Sequence, residues 1–307
     1  MKIIRINAIK LAMRNLIIAL AFSSMEMQDR TLPPSVLEIF RSHLQHAERS
    51  PSTIEKYLRS VRVFACWLNG RTVTKDAVAA WKSHLVARSY APVTVNAALS
   101  ALNSLFQYLG WEDCRVRFLK IQRRLFREPD RELDRSDYLR LIRTARQQGK
   151  KRLALLMETI CATGIRVSEV PYITLEAAQA GKAEIALKGK IRTILLPSRL
   201  CRKLLTFAKK NKTASGEIFL TRSGKGLSRK QIWLEMKQLC GMANVESRKV
   251  FPHNLRHLFA RCFYHVCRDV AQLADILGHS SIDTTRIYLI STGSEHVKTL
   301  ERLHLIL

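Results

Sequence analysis

The sequence lacks several features that would have assigned a class directly. Its seven cysteines are odd in number and form no C-x-x-C pair, so neither a disulfide framework nor paired zinc ligands are expected. The apolar N-terminal run from Leu16 to Phe22 is too short to cross a bilayer. No internal repeat or low-complexity tract occurs. The chain is therefore predicted to be a cytoplasmic globular protein with reduced thiols and no membrane partner.

A metal site is also not expected. His253, His257, Cys262 and His265 lie close together in the sequence, and histidines four residues apart on a helix can share an ion. Nothing supplies the paired cysteines of a structural zinc site, so these residues predict no metal.

Acidic residues are scarce. The 307 residues include 25 Asp and Glu against 52 Lys and Arg, a net charge of +27. Such an excess predicts attraction to a polyanion, and nucleic acid is favoured over a membrane surface or a merely basic soluble protein. Residues 115–127 and 188–212 contain no acid at all, which is typical of a surface that follows a phosphate backbone. The DNA-binding candidates are Arg115, Arg117, Lys120, Arg123, Arg124, Arg127, Lys190 and Arg192.

The order of apolar patterns and breaks predicts four parts along the chain. The first imitates a signal peptide but is interpreted as a poorly ordered extension, upstream of an alternative start at Met25 or Met27. A small helical domain, a basic linker whose boundary falls near Glu128, and a larger second domain follow. The parts are residues 1–30, 31–112, 113–134 and 135–307.

Helical periodicity dominates both domains. In the first domain, Ser52 to Glu55 suggests a capping box at the start of the second helix, and Gly110 ends the fourth. Two short strands around the sequence K-G-K are expected in the second domain. The predicted helices are Val36–Ala47, Thr53–Leu68, Asp76–Arg88, Thr94–Leu109, Ser136–Gln147, Lys151–Thr163, Pro197–Asn211, Ser228–Gly241, His253–Val266, Val270–Leu277, Ile282–Tyr288 and Ser294–Ile306; the strands are Ala183–Leu187 and Ile191–Leu196.

Three motifs carry chemistry. They are T-G-I-R-V-S-E at residues 163–169, H-N-L-R-H at 253–257 and L-G-H-S-S-I-D-T-T-R-I-Y at 277–288. Displacement at a phosphodiester builds negative charge on the phosphoryl oxygens, which the guanidinium forks of Arg166 and Arg256 would bind. The phenol of Tyr288 is a competent nucleophile once its proton leaves, and a histidine or lysine can protonate the leaving oxygen.

At these residues the chain resembles the tyrosine recombinases, the integrase family of phages, conjugative elements and chromosome-resolution systems. The resemblance runs from about Pro34 to the C-terminus. It implies a mainly α fold with a small β-sheet, built from an N-terminal helical (SAM-like) core-binding domain and a C-terminal catalytic domain. It also implies site-specific cleavage and rejoining of double-stranded DNA, for integration or excision of a mobile element, without a cofactor.

The resemblance also implies roles for the site residues. Tyr288 attacks the phosphate, Arg166, Arg256 and His279 stabilise it, and His253 assists proton movement. Lys188 is the expected general acid of the hairpin; because the L-K-G-K-I-R stretch is one residue shorter than the family pattern, Lys190 stays open as the alternative. Glu169 and His257 are supporting residues, although a structural ion pair explains Glu169 almost as well and a core histidine explains His257 equally well.

The working assembly implied by the resemblance is a tetramer on two DNA sites, near the nucleoid, with accessory DNA-bending proteins as further partners. The apolar stripe Val297, Leu300, Leu303 and Leu307 of the last predicted helix would dock on a neighbouring protomer or pack on its own domain. Two other functions remain open: a non-catalytic DNA-binding protein, and a topoisomerase with the same chemistry.

Overall fold

The computed structural model describes residues 30–121, 131–187, 190–279, 281–286 and 301. The chain forms two compact units, Met1–Arg123 and Arg124–Leu307. The described part is helical apart from one two-stranded sheet and two isolated bridges, so the expected mainly α fold is confirmed. Predicted features at residues 1–29, 122–130, 188–189, 280, 287–300 and 302–307 lie outside the described residues, among them most of the last predicted helix and its apolar stripe.

The first unit is a bundle of four helices followed by a short 3-10 helix. Its core is aromatic: Phe64 meets Trp81 edge-on with ring centroids 5.1 Å apart, and Phe106 at 6.4 Å. Every third or fourth residue of each helix faces this core, as the sequence pattern predicted. The elements are α1 (Pro34–His46), α2 (Pro51–Leu68), α3 (Lys75–Ala87), α4 (Pro92–Leu109) and the 3-10 helix Glu112–Cys114.

The start of α2 differs from the predicted capping box. Ser50 is the N-cap, and its hydroxyl accepts the backbone N–H of Thr53 at 3.3 Å. Pro51 occupies the first helical position, where its fixed φ suits a helix start and its missing N–H is not needed. Glu55 instead forms an ion pair with Arg41 at 3.2 Å. The predicted capping box at Ser52 was therefore wrong: the N-cap lies two residues earlier, at Ser50.

The beginning of the predicted basic linker is fastened to the first unit. The side-chain amide of Asn103 donates to the backbone carbonyl of Val116 and accepts its backbone N–H. Asn96 makes the same pair of hydrogen bonds with Leu119, and both asparagines belong to α4. These bonds hold the segment extended across the bundle. As a result the three described basic candidates of this stretch project outward as exposed side chains: Arg115, Arg117 and Lys120.

The second unit surrounds one larger core, to which most of its elements contribute. A helix at Leu175–Ala180 was not predicted, and the helix expected over Ser228–Gly241 is interrupted by a turn at Gln238 and Leu239. The elements are α5 (Arg135–Gln147), α6 (Lys151–Thr163), a 3-10 helix (Val167–Tyr172), α7 (Leu175–Ala180), β1 (Lys182–Leu187), β2 (Lys190–Leu195), α8 (Ser198–Lys210), α9 (Arg229–Lys237), α10 (Cys240–Ala243), a 3-10 helix (Ser247–Lys249), α11 (Pro252–Cys267), α12 (Val270–Leu277) and α13 (Ile282–Arg286).

The sheet is a single antiparallel hairpin. β1 pairs with β2 in a register that sets Ile185 opposite Arg192 and Ala183 opposite Ile194. Side chains alternate between the two faces of a strand, and Ala183, Ile185 and Ile194 are buried. Arg192 therefore shares the inward face with Ile194, although it is a charged residue.

Candidate active site

The first motif is placed by the end of α6. Gly164 ends this helix with φ of 65°, and Arg166 precedes the 3-10 helix that follows. In a 3-10 helix residues three apart lie above one another, so Glu169 reaches back to Arg166. Its carboxylate accepts the Arg166 backbone N–H at 2.7 Å and the Arg166 Nη1 at 2.9 Å. The R-x-x-E spacing thus builds a local clamp.

The second motif begins α11, where Pro252 takes the first helical position. One turn on, Arg256 is only 1% exposed. Its Nη1 donates to the carbonyl of Gly164 at 2.5 Å and its Nη2 to the carbonyl of Leu277 at 2.8 Å. Arg256 thereby joins the ends of α6 and α12.

His253 lies one turn before Arg256 and is exposed. Its ring meets that of His257 edge-on, with centroids 4.6 Å apart. Partial desolvation, followed by the charges of Arg256 and Arg166, lowers the pKa of His253 below its ordinary value. An exposed imidazole that is neutral at neutral pH is able to accept a proton.

The third motif is placed by the end of α12. Gly278 has a φ of 64°, and its N–H donates to the backbone carbonyl of Asp275. The N–H of His279 donates to the backbone carbonyl of Ala274 at 2.9 Å. This is a Schellman ending, which turns the chain sharply after the helix. After this turn the imidazole of His279 lies against the guanidinium of Arg256.

The hydrogen bonds of His279 define its protonation. Arg256 Nη2 lies 2.9 Å from Nε2, and Nδ1 lies 2.8 Å from the hydroxyl of Thr285. A guanidinium can only donate, so Nε2 accepts and the proton is on Nδ1, which donates to Thr285. Burial first, and then the positive charges of Arg256, Arg166, Arg192 and His253, lower the pKa of His279 to about 4.

A third arginine completes this cluster. The guanidinium of Arg192 contacts Glu169 at 3.3 Å and donates to the carbonyl of Leu277 at 2.7 Å. Glu169, with only 4% of its side chain exposed, is thus shared by Arg166 and Arg192. Arg256 joins them through the carbonyl of Leu277, which also accepts from Arg192. Three guanidinium groups with one carboxylate among them leave an excess of positive charge, which suits a phosphate.

Some of the predicted site residues lie together in this geometry, and others fall outside the described part of the chain. The structure brings together Arg166, Glu169, Arg256 and His279, with His253 and His257 on the same helix as Arg256. Of Lys190 only the backbone, at the start of β2, is described. The predicted residues that lie outside the described part are Tyr288, Lys188, Arg123, Arg124 and Arg127.

Beside the predicted site residues lie others to which the sequence assigned no role. Thr285 is fully buried beside His279; its place in the T-T-R-I-Y motif was the available signal. An open cavity of about 470 Å³ adjoins His253 and carries Arg229, Lys230 and the exposed Trp233 on its wall. Basic side chains beside an exposed aromatic ring are suited to a nucleic acid strand, but α9 offered no motif that would have singled them out.

No group of three or more His, Cys, Asp or Glu side chains that could hold a metal is found among the described residues. No helix in the described part of the chain is long and apolar enough to cross a membrane. All seven cysteines lie in that part and are free thiols.

Comparisons with known proteins identify the family of the chain. The phage integrase family matches residues 131–295, and the phage integrase N-terminal SAM-like domain matches residues 37–113. The chain therefore belongs to the phage integrase family, and it is a DNA strand cleaving and rejoining enzyme of the tyrosine recombinase class. The family membership predicted from the three sequence motifs is confirmed.

Individual relatives are similar over most of their length. The tyrosine recombinase XerA of Pyrococcus furiosus is 28% identical over 289 residues, 91% of this chain and 98% of that protein. The tyrosine recombinase XerD of Vibrio cholerae is 27% identical over 238 residues, 73% and 78% of the two chains. A solved lambda integrase tetramer bound to a Holliday junction shares the fold, with a TM-score of 0.70, 17% identity and coverage of 83% of this chain and 76% of that one.

Proposed function

We propose that the protein is a site-specific DNA recombinase that cleaves and rejoins strands through a 3′-phosphotyrosyl intermediate on Tyr288, in the integration and excision of a mobile element. The observation that carries this proposal is the meeting of Arg166, Arg256 and His279 around the ends of α6 and α12. These three groups come from the three motifs, and they leave positive charge where a scissile phosphate would bind.

The first chemical step is a displacement at phosphorus. The phenol oxygen of Tyr288 forms a bond to phosphorus while the bond from phosphorus to the 5′ oxygen breaks. The phenolic proton passes to His253, and the leaving 5′ oxygen takes a proton from Lys188, with Lys190 as the alternative donor. The phosphotyrosine retains the energy of the phosphodiester, so rejoining to a second 5′ hydroxyl is the same step in reverse and uses no cofactor.

Arg256 and His279 must exchange partners for this step. Without DNA, Nε2 of His279 accepts from Arg256 and has no proton to offer a phosphate. A bound phosphate supplies a negative charge that stabilises the protonated imidazole and attracts the arginine donors. His279 takes up a proton from solvent at Nε2 and donates it in a hydrogen bond to the phosphate, while Arg256 keeps its bonds to the carbonyls of Gly164 and Leu277.

Each unit carries basic side chains that would bind DNA. Arg115, Arg117 and Lys120 are exposed on the segment fastened to α4, and Arg229 and Lys230 line the cavity beside His253. By analogy with the lambda integrase complex, four protomers would act on two DNA sites, with accessory DNA-bending proteins where the site requires them.

A nicked suicide substrate tests the proposal. Duplexes tiled from the DNA flanking the gene carry a nick close to each candidate cleavage position, so that the released fragment diffuses away and the covalent complex accumulates. The wild-type protein is expected to form a protease-sensitive adduct. Tyr288→Phe is expected to bind the same DNA and form none, because it lacks the nucleophilic oxygen. Tyr264→Phe, a packing tyrosine of the same unit, is the matched control and should retain the adduct.

Other outcomes assign the protein differently. DNA binding without any adduct in the wild-type protein would indicate a non-catalytic DNA-binding protein. An adduct that persists in Tyr288→Phe would move the nucleophile to another residue, and relaxation of plasmids without a partner site would indicate a topoisomerase. On the same duplexes a 5′-thio leaving group, which needs no proton, should rescue Lys188→Ala; rescue of Lys190→Ala instead would assign the acid to Lys190.

A further inference from the structure

Arg192 occupies an unexpected place for a residue of a basic hairpin. It lies on the inward face of β2, and only 12% of its side chain is exposed. Its neighbours on the strand, Thr193 and Leu195, are exposed on the other face. The alternation of β2 therefore directs a cation into the domain, whereas a direct contact with DNA was expected for this residue.

The contacts of Arg192 join two parts of the active site. Its Nη1 donates to the carbonyl of Leu277, which also accepts from Arg256. The same Nη1 lies 3.3 and 3.4 Å from the two carboxylate oxygens of Glu169, which also bind Arg166. Arg192 is thus bonded to both groups that anchor the two phosphate-binding arginines.

The turn that carries His279 is shaped around the stem of Arg192. A Cβ at Gly278 would lie 2.4 Å from Arg192 Cδ and 3.1 Å from its Nε. Glycine is needed here for its φ of 64° and also because the arginine stem fills the space beside it. Since His279 is the next residue, the stem supports the backbone from which the imidazole projects.

Burial of this arginine is unfavourable by itself. Among the described residues, its Nε and Nη2 are buried and have no hydrogen-bond partner, and buried unsatisfied donors destabilise a fold. Burial lowers the pKa of Arg192 to about 10; the carboxylate of Glu169 opposes this shift, and the charges of Arg256 and Arg166 add to it. Arg192 therefore stays cationic at neutral pH. An apolar residue would pack in the same place at lower cost, which favours a role in the reaction.

We propose that Arg192 is a positioning residue for strand cleavage: it holds Glu169 and the Leu277–Gly278 turn together, and so fixes Arg166, Arg256 and His279 relative to one another before DNA binds. This proposal rests on the proposed function, because it assigns a residue to that site. Misplacement of reacting groups by about 1 Å can slow a reaction on the order of 100-fold. Loss of the Arg192 contacts should therefore reduce the rate of cleavage and leave DNA affinity almost unchanged.

The test compares Arg192→Gln and Arg192→Lys with wild type, and uses Arg222→Gln, an exposed arginine of the same unit, as the charge-matched control. Single-turnover cleavage of the suicide substrate and DNA affinity at several salt concentrations are measured for each. Arg192→Gln is expected to cleave on the order of 100-fold more slowly with the salt dependence of Arg222→Gln. Arg192→Lys keeps the charge but lacks the planar guanidinium whose Nη1 reaches both Glu169 and the Leu277 carbonyl, so it should recover only part of the rate.

A titration of His279 separates positioning from simple destabilisation. Arg192 is one of the charges that lower the pKa of His279, so in folded Arg192→Gln this pKa should rise, as followed by NMR of labelled histidine. A cleavage rate equal to wild type in either variant would overturn the proposal. A loss of DNA affinity together with a weaker dependence of that affinity on salt would also overturn it, because it indicates that Arg192 contacts a phosphate. So would a loss of cleavage rate that is fully explained by the unfolded fraction of the variant. If Arg192→Gln does not fold, the Arg192→Lys rate decides. Absence of an adduct in the wild-type protein would refute the proposed function instead.

Discussion

The ending of α6 offers a sharp test of how the fold supports the site. Gly164 combines a φ of 65° with a crowded environment: a Cβ there would lie 2.4 Å from Phe259 Cδ1 and 3.0 Å from Leu277 Cδ2. Its carbonyl is also the acceptor for Arg256 Nη1. We therefore expect Gly164→Ala to destabilise the second unit and to loosen Arg256.

The size of the effect has two parts. Placing an L-residue in the left-handed region costs about 1–2 kcal/mol. Forcing a methyl group against the stiff ring of Phe259, which is itself packed on Phe263 at a centroid distance of 5.8 Å, adds about 1–3 kcal/mol. The free energy of unfolding should therefore fall by about 2–5 kcal/mol.

Gly181→Ala supplies the matched control. Gly181 also ends a helix of the second unit with φ of 70°, but a Cβ there meets nothing within 4 Å. This variant should lose only the conformational part, about 1–2 kcal/mol. The difference between the two variants measures the contact with Phe259 and Leu277 alone.

Hydrogen exchange is the appropriate assay, because two compact units need not unfold together. The free energy of opening is measured in urea for peptides from α6 and α11, and suicide-substrate cleavage is measured in parallel. Equal losses in Gly164→Ala and Gly181→Ala would show that the crowding at Gly164 is relieved without cost. Normal cleavage by Gly164→Ala, despite the lost stability, would show that Arg256 does not depend on the position of this carbonyl.

Two further predictions concern pH and assembly. Because folding lowers the pKa of His279 to about 4, the unfolded chain takes up a proton at this residue first as the pH falls. The stability that His279 contributes is therefore present above about pH 6.5 and is lost as the pH falls towards 4. The urea midpoint of His279→Gln should decrease less steeply with acidification than that of the wild-type protein, and parallel profiles would contradict this. Truncation after Gly293 removes the last predicted helix and should leave a folded, DNA-binding monomer that forms no synaptic complex, as measured by gel shift and light scattering. Full recombination by the truncated protein would exclude docking of this helix on a neighbouring protomer. Unfolding would indicate that the helix packs on its own domain.

Much of the local structure followed from the sequence, because it depends on residues within one or two turns. Gly110, Gly164 and Gly278 end their helices with positive φ, as expected for the residue type that adopts this region without strain. The hairpin and the R-x-x-E clamp are also local. The family motifs indicated the class of enzyme, since their residue types, spacing and order are all properties of the sequence.

Tertiary structure decided which of these elements meet and which way their side chains face. The bond from Arg256 to Gly164 spans 92 residues, and that from Arg192 to Leu277 spans 85. Nothing within the hairpin distinguishes an arginine that points towards DNA from one that points into the domain. The tautomer of His279 likewise depends on Arg256 and Thr285, which only the packing of α11 and α13 brings to the imidazole. Local preferences are short-ranged, whereas burial and charge pairing act between segments that the folded chain alone brings together.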